Sequence, residues 1–158
     1  MSAIMQALYR GDDDTARRLA KSAELDVFEA AALGDVARLA ELLTADPTLA
    51  EARSADDFTA LHYAAFFDGP GAARLLLERG ADANAFADNE LGVHPLNSAA
   101  AAGRPDVVAI LLEHGADPNA RTSRGFTPLD AARENGDEKL AGLLRSHGAQ
   151  DEPTNRTL

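Results

Sequence analysis

Apolar residues recur along the chain in short clusters that have the spacing of one helix face. Two such clusters occupy residues 75–77 and 107–112, where apolar side chains return at i, i+3 and i+4, as in a helix with one buried face. Pairs of alanines at 64–65 and 99–100 precede the clusters, and side chains this small let neighbouring helices approach closely. The pattern predicts short helices packed in pairs.

Prolines and threonines mark where these helices begin. Pro95 and Pro128 suit the first turn of a helix, where a missing N–H costs nothing and φ is already helical. Thr59 and Thr127 precede predicted helices, and their hydroxyls can cap the free backbone amides. Five helix pairs are predicted: residues 2–10 with 13–22, 27–33 with 35–43, 60–67 with 71–79, 95–102 with 105–114, and 128–135 with 137–147.

The same motifs return at a nearly constant period. Gly-Ala-Asp-Pro-Asn at residues 115–119 is matched by Gly-Ala-Asp-Ala-Asn at 80–84, which lies 35 residues earlier. Leu61, Leu96 and Leu129 are separated by steps of 35 and 33 residues, within Thr-Ala-Leu-His, His-Pro-Leu-Asn and Thr-Pro-Leu-Asp. A fixed period of this length indicates a repeat architecture.

These motifs resemble the ankyrin repeat, whose unit of about 33 residues carries Thr-Pro-Leu-His-x-Ala-Ala, a Leu-Leu pair and Gly-Ala-Asp-x-Asn. The resemblance covers residues 2–149 and implies an all-α fold, an α-solenoid of helix-turn-helix units joined by outward-pointing β-hairpin loops. About five units are expected, at residues 2–24, 25–53, 54–86, 87–121 and 122–149. The remaining residues, 150–158, are expected to form a disordered tail.

Several positions depart from the family pattern. Asp57 stands where the hairpin usually has glycine, and His94 stands where it has threonine. Asp68 replaces the glycine after the first helix of the third unit, which predicts a distorted turn between the two helices. Two extra residues enlarge the loop at 86–93. Arg145 occupies a position that is leucine in the preceding unit, as expected of a terminal repeat with a wettable outer face.

Composition narrows the range of partners. The 158 residues include 15 basic and 26 acidic side chains, for a formal net charge of −11, which disfavours nucleic acid because phosphate contacts are made by Lys and Arg. No run of 18 apolar residues predicts a membrane span, and a chain with no cysteine forms no disulfide or thiolate metal site. We therefore expect a cytoplasmic monomer that binds neither nucleic acid nor membrane.

The residues capable of chemistry do not form a catalytic or metal-binding motif. His62 occupies the histidine position of the family, where the ring supports neighbouring loops by hydrogen bonding. No catalytic residue, metal site or cofactor is therefore expected, and the protein is predicted not to be an enzyme. One alternative stays open, a small enzyme or metal-dependent regulator that uses His94, Asp88 and Glu90 in the long loop.

The function that remains is binding of another protein. The resemblance implies that contacts come from the hairpin tips and the exposed face of each first helix, which line a concave groove. Placed by their offset from the repeated leucines, the predicted contact residues at the tips are Asp56, Phe58, Phe86, Leu91, Val93, Arg121, Arg124 and Phe126. Those on the helices are Tyr9, Arg10, Leu33, Phe66, Phe67, Glu134 and Asn135.

Five phenylalanines at these positions account for five of the eight aromatic residues in the chain, and aromatic anchors in a groove are typical of interfaces. The opposing interpretation is that Phe58 and Phe126 only cover hairpin backbone. Phe66 and Phe67 are adjacent on a helix and cannot face the same way, so at least one should meet the groove or solvent. The acidic surface favours a partner with a basic patch. Self-association through the aromatic patch is a further hypothesis.

Overall fold

The computed structural model describes residues 1–67 and 69–151. That part of the chain forms ten α-helices in five consecutive pairs: α1 (Ala3–Tyr9) and α2 (Asp13–Ala20), α3 (Val27–Leu33) and α4 (Val36–Ala45), α5 (Ala60–Phe66) and α6 (Pro70–Glu78), α7 (Pro95–Ala101) and α8 (Pro105–Glu113), α9 (Pro128–Glu134) and α10 (Glu138–Ser146). A 3-10 helix, Pro47–Ala50, follows α4. The predicted all-α solenoid is confirmed, whereas the exact limits of the repeat units stay a prediction.

The first helix of each pair from α3 onward begins with the same reciprocal capping arrangement. The third residue of the helix accepts a hydrogen bond from the backbone N–H of the N-cap residue, at 2.9 to 3.2 Å. The chemistry of that residue differs in every unit, since the four acceptors are Glu29, His62, Asn97 and Asp130. The box fixes where each helix starts and keeps the helices in register.

The helices form two layers. First helices pack on first helices, α3 on α5, α5 on α7 and α7 on α9, while α4, α6 and α8 pack in a second layer. Leucine and alanine fill the space between the layers, and the largest fully buried side chains are leucines, among them Leu39, Leu61, Leu76, Leu96 and Leu111. Each pair buries its apolar face only against its neighbours, so the stability is distributed along the stack.

The loops between pairs fold back on themselves as the hairpin pattern predicts. Two backbone bonds close each of two loops: Ser54 N–H to Phe58 O at 2.9 Å with Asp57 N–H to Ser54 O at 3.0 Å, and Thr122 N–H to Phe126 O at 2.9 Å with Gly125 N–H to Thr122 O at 2.8 Å. Within the described residues the β-structure is limited to one antiparallel bridge, between Arg53 and Thr59. The loops are therefore tight turns rather than extended strands.

Asp57 adopts the backbone conformation of the glycine it replaces. Its φ is +62°, and the corresponding residues in the next two loops, Gly92 and Gly125, have φ of +54° and +83°. Aspartate tolerates this left-handed region better than most residues. Its carboxylate accepts hydrogen bonds from Asp88 N–H at 2.7 Å and from the Arg53 guanidinium at 3.2 Å. The side chain thereby ties one hairpin to the next.

Asn84 couples the third pair to the fourth pair. Its Oδ1 accepts from Asp117 N–H at 2.7 Å, and its Nδ2 donates to Gly115 O at 3.0 Å. Asn119 repeats both bonds one unit later, with Gln150 N–H and Gly148 O. Each of these two asparagines therefore links its own unit to the next one through two side-chain hydrogen bonds.

Replacing Asn84 by alanine is expected to lower the free energy of unfolding by about 2 kcal/mol, because each of the two bonds contributes about 1 kcal/mol. Asn135→Ala is the control, since Asn135 makes one bond across units, from Nδ2 to Ala101 O at 3.1 Å, and should cost about half as much. Urea unfolding monitored by circular dichroism measures both. Equal midpoints for Asn84→Ala and the unchanged protein would show that the two hydrogen bonds of Asn84 contribute nothing to stability.

Two of the sequence predictions concern residues that the structure does not describe. Asp68, where a distorted turn is predicted, lies outside the described residues, as do residues 152–158 of the predicted tail. Asp151 forms ion pairs with Arg133 and Arg145. The exposed Arg145 agrees with a terminal unit that faces water.

Candidate partner-binding groove

Two adjoining depressions form an apolar groove across the first helices and the hairpin loops. The smaller, of about 120 Å³, is lined by Tyr9, Phe58, His62, Tyr63, Phe66, Leu91 and Ser98. The larger, of about 290 Å³, has Val93, Ala101, Phe126, Ala131 and Glu134 in its lining, and it shares Phe66, Leu91 and Ser98 with the smaller one. We call these two depressions together the apolar groove, with Phe66 and Leu91 forming the ridge between them.

Phe66 and Phe67 take different roles, as their adjacent positions on the helix require. Phe66 is 42% exposed and lines both depressions, whereas Phe67 is half-buried and packs on the hydrophobic core. Tyr9 contacts both rings, with ring centroids 6.2 Å from Phe66 and 5.1 Å from Phe67. The edge-to-face contacts with Phe67 hold this aromatic cluster in place. The structure therefore presents Phe66 to the groove and keeps Phe67 in the packing.

Phe58 and Phe86 occupy hairpin tips but differ in what they contact. Phe58 is half-buried and lies against His62 and Tyr63, with ring centroids 5.5 and 5.7 Å apart. Phe86 lies against His94 at 5.2 Å and is absent from the lining of both depressions. Phe58 thus combines hairpin packing with a place in the groove, whereas Phe86 lies outside the groove and is 39% exposed beside His94.

The structure brings together part of the predicted contact set. The apolar groove contains Tyr9, Phe58, Phe66, Leu91, Val93, Phe126 and Glu134. Leu33 and Phe67 line a third depression of about 450 Å³ near the ends of the first helices, and Asp56 lines a fourth of about 320 Å³ near the N-terminus. The residues outside the lining of all four are Arg10, Phe86, Arg121, Arg124 and Asn135.

The prediction did not include one position that every later unit contributes to the groove. Tyr63, Ser98 and Ala131 lie two residues after the repeated leucines, with the same steps of 35 and 33 residues. Each lines a depression of the groove. The constant offset is the signal that would have found them, because a position that faces the groove in one unit faces it in the others. Phe28 contacts Tyr63, with ring centroids 5.7 Å apart, and extends the ring contacts toward the N-terminus.

His62 supports the floor of the groove as a neutral ring. Thr59 N–H donates to its Nδ1 at 3.2 Å, so the ring proton lies on Nε2, which donates to Val93 O at 3.1 Å. Burial lowers the pKa of His62 to about 4. The ring therefore carries no charge near neutral pH and connects the start of α5 to the loop of the next unit.

The two tyrosines also remain uncharged. Burial, followed by the nearby Tyr63 and Asp56, raises the pKa of Tyr9 to about 12. Burial likewise raises the pKa of Tyr63, whose hydroxyl donates to Ser54 Oγ at 3.1 Å. Near neutral pH the groove thus presents rings and hydroxyls instead of ionised phenols.

The long loop does not assemble the residues of the enzymatic alternative into a ligand set. The His94 ring Nδ1 is 3.1 Å from Asn97 Oδ1, and Asp88 is engaged through its backbone N–H with Asp57. Over residues 1–67 and 69–151, no three His, Asp or Glu side chains gather closely enough to hold a metal ion. His94 acts here as a helix-capping residue.

A family model described as ankyrin repeats (3 copies) matches residues 27–122 and residues 84–155. These stretches include more than half of the chain, and the protein therefore belongs to the ankyrin-repeat family. Ankyrin repeats are in general modules of protein–protein interaction and are typically non-catalytic. In the described part of the chain, no helix has the length and apolar character needed to cross a membrane.

Proposed function

We propose that this protein is a non-catalytic binding module that holds a segment of another protein in the apolar groove. The observation that carries the proposal is the exposure of Phe66 and Leu91, 42% and 61%, on the ridge between two apolar depressions. Apolar patches of this kind mark contact sites, and aromatic residues at their centre are typical hot spots. Neither side chain belongs to the hydrophobic core cluster, so both are accessible to a partner.

The groove is also suited to binding because its rings are already fixed. Tyr9 and Phe67 pack against Phe66, and His62 with its two hydrogen bonds supports the neighbouring Phe58. Side chains held in this way lose little conformational freedom when a partner arrives, which favours affinity. In this proposal the protein acts as a cytoplasmic monomer without a cofactor.

Phe66→Ser is expected to reduce capture of the partner by more than about tenfold, the usual effect of removing a hot-spot ring. Immobilised protein would be exposed to cytosolic extract of the source cell, and the bound proteins quantified by mass spectrometry. Val36→Ser is the matched control, because Val36 is 41% exposed at the start of α4 and lines none of the four depressions. If Phe66→Ser and the unchanged protein capture the same proteins equally, the groove is not the binding site.

Phe67→Ser separates binding from folding. Phe67 packs on the core, so its replacement should cost about 2 kcal/mol of unfolding free energy. Phe66→Ser should change that free energy by less than about 1 kcal/mol, as expected of an exposed position. A comparable loss of stability in both variants would mean that Phe66 serves the core and that lost capture reflects unfolding.

A further inference from the structure

The charges along the groove are arranged in an order that constrains the partner. Among the residues that the structure describes, Glu134 is the one Asp, Glu, Lys or Arg side chain in the lining of the apolar groove. The depression near the N-terminus adjoins the groove through Tyr9 and Tyr63. Within residues 1–67 and 69–151, its lining includes the acidic Asp26, Glu29 and Asp56 but no Lys or Arg. The path along the stack therefore runs from an acidic end through an apolar middle to a second acidic end.

At each end of this path one exposed carboxylate is available to a partner. Asp26 and Glu29 are engaged with each other's backbone in a capping box. Asp56 and Glu134 are both exposed, and in the described part of the chain neither carboxylate takes part in a hydrogen bond or ion pair. A ligand cation at either position would therefore gain a contact without displacing one.

Three arginines near these elements lie outside the lining of the apolar groove. Arg17 and Arg104 line the third depression, beyond Phe67, and Arg104 donates to Phe66 O at 3.2 Å. Arg53, at the hairpins, is bound to Asp57 and to Phe86 O. The third depression carries charges of both signs, because Asp13 lines it as well, whereas the path between Asp56 and Glu134 attracts a basic segment.

We propose that the occupant is a basic, amphipathic peptide segment of another protein, with two neighbouring apolar side chains in its middle and a Lys or Arg on each side. The apolar pair enters the two depressions on either side of Phe66 and Leu91. One basic residue pairs with Asp56 and the other with Glu134. This inference rests on the proposed function, since it names the chemistry of the segment that the groove binds.

The test is selection of a phage-displayed library of random peptides on the immobilised protein. Peptides that bind the unchanged protein and fail to bind Phe66→Ser define the groove ligands. Among them the expected result is enrichment of two apolar residues flanked by Lys or Arg. The same selection on a double variant, Asp56→Asn with Glu134→Gln, should retain the apolar residues and lose the basic ones.

A synthetic copy of the most enriched peptide gives the quantitative comparison. Its dissociation constant should rise about tenfold in the Asp56→Asn, Glu134→Gln variant and also at high salt, as expected for two partly exposed ion pairs. The control is Glu78→Gln with Asp106→Asn, which removes the same net charge from exposed sites on α6 and α8. This control should bind the peptide as the unchanged protein does.

The outcomes distinguish the two proposals. If groove ligands are recovered but show no enrichment of Lys or Arg, or if the two double variants bind the peptide equally, the basic-segment inference is wrong and the binding function stands. If no recovered peptide depends on Phe66, the groove does not bind peptide segments and both proposals fail.

Discussion

Gly92→Ala is expected to lower the free energy of unfolding by about 3 kcal/mol, a large effect for the addition of one methyl group. Gly92 has φ of +54°, where a side chain costs about 1–2 kcal/mol. A Cβ at this position would also overlap Ser123 Oγ and lie 2.6 Å from Ser123 Cβ. The contact cannot simply open, because Ser123 N–H donates to Gly92 O at 2.9 Å and Ser123 Oγ donates to Leu91 O at 3.3 Å.

Two further variants separate the backbone effect from the steric effect. Gly125 occupies the corresponding place in the next loop with φ of +83°, and an added Cβ there has no neighbour within 4 Å. Gly125→Ala should therefore cost only the backbone term of about 1–2 kcal/mol. Ser123→Gly in the Gly92→Ala background should recover part of the loss. Equal urea midpoints for Gly92→Ala and Gly125→Ala would contradict the close packing of the two hairpins.

Acidification is expected to remove about 3 kcal/mol of stability through His62 alone. Burial lowers the pKa of the folded His62 to about 4, whereas the unfolded chain takes up the proton near the ordinary value of about 6.5. The unfolded state therefore binds more protons between these values. The stabilisation is fully present above about pH 6.5 and is lost as the pH falls through about 4.

The contribution of His62 is isolated by replacing the ring with an amide. Asn97 occupies the same capping position in α7 and accepts the N-cap N–H through Oδ1, so His62→Asn can retain the capping bond. The stability of this variant should fall less steeply between pH 6.5 and 4, measured by urea unfolding at several pH values. His147→Asn, at an exposed histidine, should keep the full slope. Identical slopes for His62→Asn and the unchanged protein would place the pH dependence elsewhere.

The elements of the fold could be predicted from the sequence because each local signal agrees with the repeat. Proline, threonine and the capping acceptors fix where helices begin, and the repeated leucines fix which face is buried. The conformation of Asp57 could be predicted in the same way, since the two glycines at its offset in later loops both have positive φ. Wherever a position is governed by contacts inside its own unit, the period predicts the structure.

The groove could be predicted less completely, because its surface depends on contacts between units. Sequence alone left open which of Phe66 and Phe67 faces outward. In the structure Phe67 packs on the core, and Tyr9 from the first helix pair approaches both rings. Phe86, a predicted contact residue, lies beside His94 with ring centroids 5.2 Å apart and is 39% exposed, so its part in binding stays a prediction. Such distances follow from the geometry of the whole stack, which no single repeat encodes.

The claim that the groove centred on Phe66 holds the partner is tested most directly by photocrosslinking in the source cell. A benzoyl-phenylalanine would replace Phe66 in one strain and Val36 in another, two positions of nearly equal exposure. The result we expect is a discrete crosslinked protein from position 66, lost when Leu91→Ser is added, and none from position 36. Crosslinks from position 36 with none from position 66 would contradict the claim and move the binding surface to the second layer of helices.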